Sequence, residues 1–379
     1  MTSSTGGVRP IRVLHLRDSP WVDGPGRTIL ETATRIDRSL VDYHVGAFVS
    51  NPSDPHPLVN ALRERSLPVH AITDRGGVGR EIVNRVVDLL DRLQIDILHT
   101  SEFRSNVLGL LCRRRRPVKL MSTAHGWIGN DLRGRVYIFA DRVLMRRFDR
   151  VILVSHAMRR RLPSWWVPDS RVRILHNALM VDSYGENFSP RSGEPGTRAV
   201  VNLLSVGRLS PEKGQALLLR AVARLKGAYP DVRVLFAGTG PLESELRQLA
   251  DELGLAADVS FLGYVRDMPS LYAAADLVVQ SSLTEGLPNV MLETAFLGIP
   301  VVATSVGGTA EVIEHGVSGW LVEPGSVDAL ERGIRAFLEQ PLRFAEMART
   351  GRRVIESKFN FDVRMEAQTG IYRECALER

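Results

Sequence analysis

Cysteine is nearly missing from this sequence, which has only Cys112 and Cys375. Two thiols so far apart give neither the spacing of a metal knuckle nor a disulfide framework, and they suit a reducing cytoplasm. Long hydrophobic runs are missing too. No apolar stretch reaches the length of a membrane span, and the opening MTSSTGG has no apolar core of a signal peptide, so a soluble cytoplasmic chain is expected. There is no short-period repeat and no low-complexity tract, which excludes solenoids and fibrous arrays.

What is present is the composition of an ordinary globular protein: 44% hydrophobic and 24% charged residues over a length that suits two domains. The net charge of +6 is unevenly divided. Lys plus Arg against Asp plus Glu stands at 29 to 18 for residues 1–185 and at 20 to 25 for residues 186–379. A basic front half facing an anionic partner is the expectation.

Short apolar stretches alternate with helical patterns along the front half: IRVLHL, YHVGAFVS, LPVHAIT, IDILHT, VKLMSTAH and RVILVSHA read as strands, Val78 to Leu93 and the segment from Thr28 onward as helices. This is the rhythm of a parallel sheet covered by helices. The Gly-, Pro- and Ser-rich stretch YGENFSPRSGEPGTRA interrupts it, and the alternation restarts with VNLLSVG, VRVLFAG, VSFLG, DLVVQSS and PVVATS. The expected layout is an N-terminal domain over 8–185, a linker over 186–199, a second domain over 200–355 and a C-terminal helical tail over 356–379. In doubly wound sheets ligands bind beyond the carboxyl ends of the strands, so the loops there are where chemistry is sought.

Three such loops stand out in the back half. TEGLPNVMLE, Thr284 to Glu293, predicts a helix starting at Pro288 and stopped by Gly298 and Pro300. Asn289 and Glu293 then share a face, Glu285 lies in the preceding loop, and the helix start between the acids is an anion site. From this segment alone the two acids equally fit simple electrostatic satisfaction of the helix start. SVGRLSPEKG sets Arg208 and Lys213 just after a strand, as solvated surface cations or as a diphosphate clamp. FAGTGPLE has Gly238 and Gly240, but Glu243 occupies the third position of a dinucleotide fingerprint, so a nicotinamide site is disfavoured and either a tight turn or close ligand approach remains.

Together GRLSPEKG, FAGTGPLESEL, the run from GYVRDMPSLYAAADLVV through TEGLPNVMLETAFLGIPVVATSVGGTAEVI, and GVSGWLVEPG resemble the donor domain of retaining GT-B glycosyltransferases of glycosyltransferase family 4, from Leu203 to Gly325. The family's E-x7-E pattern is met by Glu285 and Glu293. The front half resembles the same family more loosely through DGPGRTI, HTSEFRSNVLG, STAHGW and VRILHNA.

The resemblance implies an α/β fold of two Rossmann-like doubly wound domains facing across a cleft, acceptor-binding then donor-binding, with the last helix crossing back to the first domain. It implies that Arg208 and Lys213 neutralise the departing diphosphate, that Glu293 holds the ribose hydroxyls, that Glu285 lies close to the transferred sugar, and that amides near Asn289 and Val290 cap the distal phosphate. Gly24 and Gly26 match a flexible glycine-rich loop, from which the intervening Pro25 departs, and His125 matches a sugar-contacting histidine. Asn177 resembles the family's Asn-Gly step at the domain border, with Ala178 in place of the glycine, and is read as structural. Gly238 and Gly240 complete the donor set. No cofactor and no metal are implied, in keeping with the absence of an Asp-x-Asp motif. The implied reaction is retaining hexosyl transfer from a nucleotide sugar, UDP by family frequency, to a glycan or lipid-linked acceptor in envelope or exopolysaccharide synthesis. A nucleotide-sugar epimerase and a non-catalytic nucleotide-sugar or glycan-binding module are the rival readings. Two-carboxylate glycosidase chemistry is disfavoured because these acids accompany phosphate-binding cations.

The basic runs RRRRP, MRRFDR and MRRRLPSWWVP carry no helix-turn-helix or stacking-platform pattern, so nucleic acid is not an expected partner. Solvated helix ends explain them, or an anionic membrane surface does, for which Trp165 and Trp166 beside Arg159 to Arg161 speak. The expected location is the cytoplasm, peripheral at the inner face of the membrane.

Overall fold

The computed structural model describes residues 9–51, 56–74, 76–127, 132–179 and 200–378; the expected linker at 186–199 lies outside them. Two compact units emerge, Met1–Asn177 with Phe361–Arg379, and Ala178–Asn360. The chain therefore passes from one to the other at Asn177–Ala178, earlier than the linker expected from composition.

The first unit runs β1 (Ile11–Arg17), α1 (Gly24–Arg35), β2 (Val41–Val49), α2 (Pro57–Glu64), β3 (Val69–Thr73), α3 (Arg80–Arg92), β4 (Ile97–Thr100), α4 (Phe103–Arg113), β5 (Lys119–Ala124), α5 (Leu132–Met145), β6 (Arg150–Leu153), α6 (His156–Arg160) and β7 (Val172–Ile174). The second runs β8 (Val201–Val206), α7 (Gln215–Leu225), β9 (Val232–Ala237), α8 (Glu243–Glu252), β10 (Val259–Phe261), α9 (Met268–Ala273), β11 (Leu277–Gln280), α10 (Asn289–Phe296), β12 (Val301–Thr304), α11 (Thr309–Val312), β13 (Trp320–Val322), α12 (Val327–Glu339) and α13 (Pro341–Lys358). A last helix, α14 (Phe361–Leu377), belongs to the first unit.

Both sheets are wholly parallel, in the orders β3-β2-β1-β4-β5-β6-β7 and β10-β9-β8-β11-β12-β13. Strands covered on both faces read as nearly continuous apolar runs, and β4, β6, β11 and β12 are buried at every position. The helices bury one stripe each: α3 turns Ile82, Val83, Val86, Leu89 and Leu90 inward, and α12 turns Leu330, Gly333, Ile334 and Phe337. In the second unit these side chains join Leu203, Leu218, Val222, Val234, Phe236 and Leu277 in one core. Strand order reverses between β1 and β4 and again between β8 and β11, so each unit has a crevice at the carboxyl ends of those two strands.

Two boundaries differ from the expectation. The helix expected from Thr28 starts at Gly24, because the Asp23 carboxylate caps it by accepting from the Gly26 amide at 3.0 Å. Gly24 and Gly26 are therefore in the first turn of a helix and not in a flexible loop. Pro288 is the residue before α10 and not its first, which moves the helix start to Asn289.

The last helix packs on α1, β1 and β4. Its inward residues, Arg364, Met365, Gln368, Ile371, Tyr372 and Cys375, recur at helical spacing although half of them are polar. The Arg364 guanidinium donates to the carbonyls of Leu175 and His176, and Arg150, itself buried, pairs with Glu378.

Candidate active site

In the second unit the loops after β8 and β11 meet at the reversal of strand order. Lys213, in a short turn after β8, reaches Glu285 after β11, its Nζ donating to Oε1 at 2.7 Å. The same carboxylate oxygen accepts from the Ser282 hydroxyl at 2.6 Å. Backbone bonds lock the two loops: Leu283 N–H donates to Glu212 O at 2.7 Å, and the Ser281 hydroxyl donates to Lys213 O at 3.0 Å. Glu285 is 8% exposed, so its charge is held by a cation and a hydroxyl and not by bulk water. The Arg208 backbone carbonyl accepts from the Gln215 amide at 2.9 Å, and its guanidinium lies on an exposed residue.

Glu293 lies one turn into α10, on the helix that the Lys213–Glu285 loop feeds. It is 7% exposed, and Oε2 accepts from the fully buried Tyr272 hydroxyl at 2.6 Å. Asn289 and Val290 form the first turn and are half-exposed, while Met291, Thr294 and Leu297 are buried; of the four residues the spacing leaves to pack, Val290 is the exception. At such a helix start the leading amides have no intrahelical acceptor and carry the positive end of the dipole.

Gly238 and Gly240 have a structural reason that the sequence left open. A Cβ on Gly238 would lie 2.0 Å from the Gly207 carbonyl oxygen, and one on Gly240 would lie 2.2 Å from that of Leu209. What these glycines admit at close range is therefore the Gly207–Leu209 loop that carries Arg208, with Leu209 N–H donating to Thr239 O at 3.1 Å. Gly26 is similar, its Cβ position lying 2.4 Å from Trp21 O.

The first unit has its own polar cluster at the corresponding reversal. Arg17, at the end of β1 and 3% exposed, pairs with Asp23 at 2.7 Å and with Glu102 after β4. Burial lowers its pKa and Asp23 opposes that shift. His125 follows β5; among the described residues neither of its ring nitrogens has a hydrogen-bond partner. Burial first, then the nearby Arg17, Arg364 and His99 charges, lower its pKa to about 3, so the ring is neutral. A neutral imidazole with an open donor and an open acceptor is suited to a hydroxyl-bearing ligand.

Behind His125, the register of β1 on β4 sets His15 opposite His99, and the two rings stack with centroids 3.9 Å apart. His15 bonds Tyr43 Oη and Ser101 Oγ, both at 2.6 Å; His99 bonds Tyr372 Oη and Thr123 Oγ1, both at 2.8 Å. The final helix thus contributes to the polar core under the site.

Sequence reasoning named Lys213, Glu285, Asn289, Val290 and Glu293, which the structure brings to adjoining loops and one helix start; His125, Gly24 and Gly26 lie in the first unit. It missed Arg17, Glu102, Tyr272 and Ser282. Ser282 stands three residues before Glu285 and was within reach; Tyr272 meets Glu293 across 21 residues and gave no local signal. An open cavity of about 1040 Å³, lined by Arg9, Asp96, Arg116, Lys119 and Arg373 among others, lies at the amino ends of β1 and β5, the sheet edge opposite these loops.

Two wholly parallel, doubly wound units, each with a crevice where its strand order reverses, are the architecture of the GT-B fold. The family described as Glycosyl transferases group 1 matches residues 186–354, and that described as Glycosyltransferase Family 4 matches residues 22–182. A GDP-mannose-dependent alpha-(1-6)-phosphatidylinositol monomannoside mannosyltransferase of Mycolicibacterium smegmatis is 31% identical over 264 residues, 65% of this chain and 68% of the relative. D-inositol 3-phosphate glycosyltransferase of the same organism is 34% identical over 359 residues, 83% of this chain and 80% of the relative. Its counterpart in Mycobacterium sp. strain KMS is 33% identical, but this chain spans only 55% of its length. Among solved structures, Anabaena HepE in complex with UDP superposes with a TM-score of 0.80 at 24% identity, covering 96% of this chain and all of that one. The chain belongs to glycosyltransferase family 4 and is a glycosyltransferase of the GT-B fold.

Proposed function

We propose that this enzyme transfers a hexosyl unit from a UDP-sugar to a glycan or lipid-linked acceptor, with retention of anomeric configuration and without a metal. The observation that carries the reading is the Lys213–Glu285–Ser282 contact at the reversal of strand order, beside a helix whose Glu293 is held by Tyr272.

In this reading Lys213 exchanges partners. A donor diphosphate carries more charge than one carboxylate, so the ammonium turns to it and, with Arg208 and the amides at Asn289 and Val290, stabilises the charge that develops as it departs. Glu285, released from Lys213, accepts from a sugar hydroxyl, and Glu293 accepts from the ribose hydroxyls. Gly238 and Gly240 hold the Arg208 loop, and within the first unit Gly24 and Gly26 form the first turn of α1 while neutral His125 offers a donor and an acceptor to a sugar hydroxyl. The acceptor hydroxyl oxygen bonds to the anomeric carbon as the bond from that carbon to the phosphate oxygen breaks, and the hydroxyl proton passes to that phosphate oxygen on the same face. No protein nucleophile is used. Arg and Lys supply the positive charge that a metal supplies elsewhere.

GDP-mannose is the second donor reading, favoured by the GDP-mannose dependence of the M. smegmatis relative. The phosphatidylinositol monomannoside in that relative's name favours a lipid-linked acceptor. We place the enzyme in the cytoplasm at the inner membrane face, in envelope or exopolysaccharide synthesis. No helix among the described residues is long and apolar enough to cross a membrane.

Thermal melting with UDP, GDP and ADP tests the donor site. One nucleotide is expected to raise the melting temperature of the wild type and not of Glu293→Ala. A wild type that responds to none of them moves the non-catalytic binding module ahead.

A further inference from the structure

Surface helices ordinarily turn polar residues outward, and α5 does the reverse. Val136, Tyr137 and Phe139 are each about 60% exposed, and Val143 lies on the same side. Positions 136, 139 and 143 recur at the spacing of one helical face. Trp165, 74% exposed, is brought beside them from another segment: the Trp166 indole N–H donates to Arg142 O at 2.7 Å, and Trp166 meets Phe139 edge-on with ring centroids 5.6 Å apart. Trp165 packs on Trp166 in turn.

The charge around this apolar face has one sign. Residues 132–166 hold nine arginines against two aspartates. Both aspartates are engaged: Asp141 accepts from Trp127 and Asn106, and Asp149 pairs with Arg113. Arg135, Arg146, Arg147, Arg160 and Arg161 are exposed, and Arg146 lies over the Trp166 ring. Exposed aromatic and aliphatic side chains rimmed by arginine, with no free carboxylate among the described residues of 132–166, match the chemistry of an anionic lipid surface, in which apolar groups enter the acyl boundary and cations meet phosphate. A second copy of this chain is a poorer match, since a symmetric pairing would bring the same arginines face to face.

We propose that the outer face of α5, with Trp165, is a docking surface for anionic phospholipid bilayers. It extends the lipid-linked acceptor reading above: the catalyst is held at the surface where such an acceptor lies.

Flotation with vesicles of phosphatidylcholine, with and without phosphatidylglycerol, tests it. The wild type is expected to float only with the anionic vesicles. Removing Phe139 and Trp165 together (F139S/W165S) should weaken partitioning by about tenfold for each side chain. R146Q/R147Q should weaken it by about fivefold for each arginine and flatten its salt dependence. These substitutions are on exposed positions, and an unchanged melting temperature checks the fold. Failure of the wild type to bind anionic vesicles, or flotation of F139S/W165S equal to wild type, overturns the proposal. So does a dimer in sedimentation velocity that F139S/W165S dissolves while vesicles are ignored. The nucleotide-induced melting shift is read on the same samples: its absence sinks the donor-site reading and leaves the docking result standing.

Discussion

Acid should unfold the first unit at a pH where most cytoplasmic proteins are stable, and the buried histidines set the size of the effect. His99 is 1% exposed, and burial, then the Arg364 charge, lowers its pKa to about 3. His125 is also lowered to about 3, and His15 well below its usual value, burial being the first cause in each case. The titratable and charged groups facing these rings are Tyr43, Tyr372, Arg17 and Arg364, and among the described residues no carboxylate is bonded to any ring. All three are neutral in the folded state. An unfolded histidine titrates near 6.5, so as the pH falls below that value the unfolded chain binds protons first and the folded state loses ground. The slope is about 1.4 kcal/mol per pH unit for each histidine, or ~2 kcal/mol each for His99 and His125 at pH 5 and ~4 kcal/mol for the two, with His15 acting in the same direction, a large part of the stability of a typical domain. Stability should be complete above about pH 7 and fall until the pH nears the folded pKa values. Urea unfolding followed by tryptophan fluorescence suits the test, because Trp21, Trp127, Trp165 and Trp166 are in the first unit and only Trp320 is in the second. His99→Gln should be less stable at pH 7 but lose about 1.4 kcal/mol per pH unit of the acid slope. A urea midpoint that does not move between pH 7 and pH 5 refutes the reasoning.

Other substitutions probe the donor site. Lys213→Ala should lower kcat by about a hundredfold with fold retained, measured by sugar transfer to a defined acceptor; an unchanged kcat would remove Lys213 from the phosphate site. Tyr272→Phe removes the hydroxyl that Glu293 accepts from, and should cost about 1.5–3 kcal/mol of stability in chemical denaturation and weaken nucleotide binding in calorimetry. Equal nucleotide affinity in that variant would argue that Glu293 needs no orientation. The nucleotide series with Glu293→Ala completes the set, and only one of the bases should shift the melt.

Much of this was legible because parallel sheets write themselves as apolar runs. The strands from IRVLHL to PVVATS sit where the alternation puts them, and the helix between Glu285 and Glu293 differs by one residue. Strands β7 and β13, three residues each, escaped, although the equally short β10 was read from VSFLG. Helix α13 escaped because Gly351 interrupts its pattern; in the fold that glycine lets α10 approach, its Cβ position 3.4 Å from the Ala295 Cβ. In the site, Lys213, Glu285 and Glu293 were readable as motif residues. Contacts between distant residues were not: Tyr272 with Glu293, and in the first unit Arg17 with Glu102, are joined across 21 and 85 positions by sheet topology, which a local pattern does not encode.

The return of the last helix to the first unit also orders events during synthesis. The second unit is one uninterrupted segment, Ala178–Asn360, and is complete as soon as it clears the ribosome. The first unit begins earlier and finishes later: Tyr372 for His99, Arg364 for the carbonyls at 175 and 176, and Glu378 for Arg150 all come last. Until residues 361–378 follow, about a few seconds after the second unit is synthesised, β1 and β4 carry stacked histidines without a cover. N-to-C order is thereby inverted for folding, and a nascent chain cut short near Asn360 should yield a sound second unit attached to a first unit fit for proteolysis.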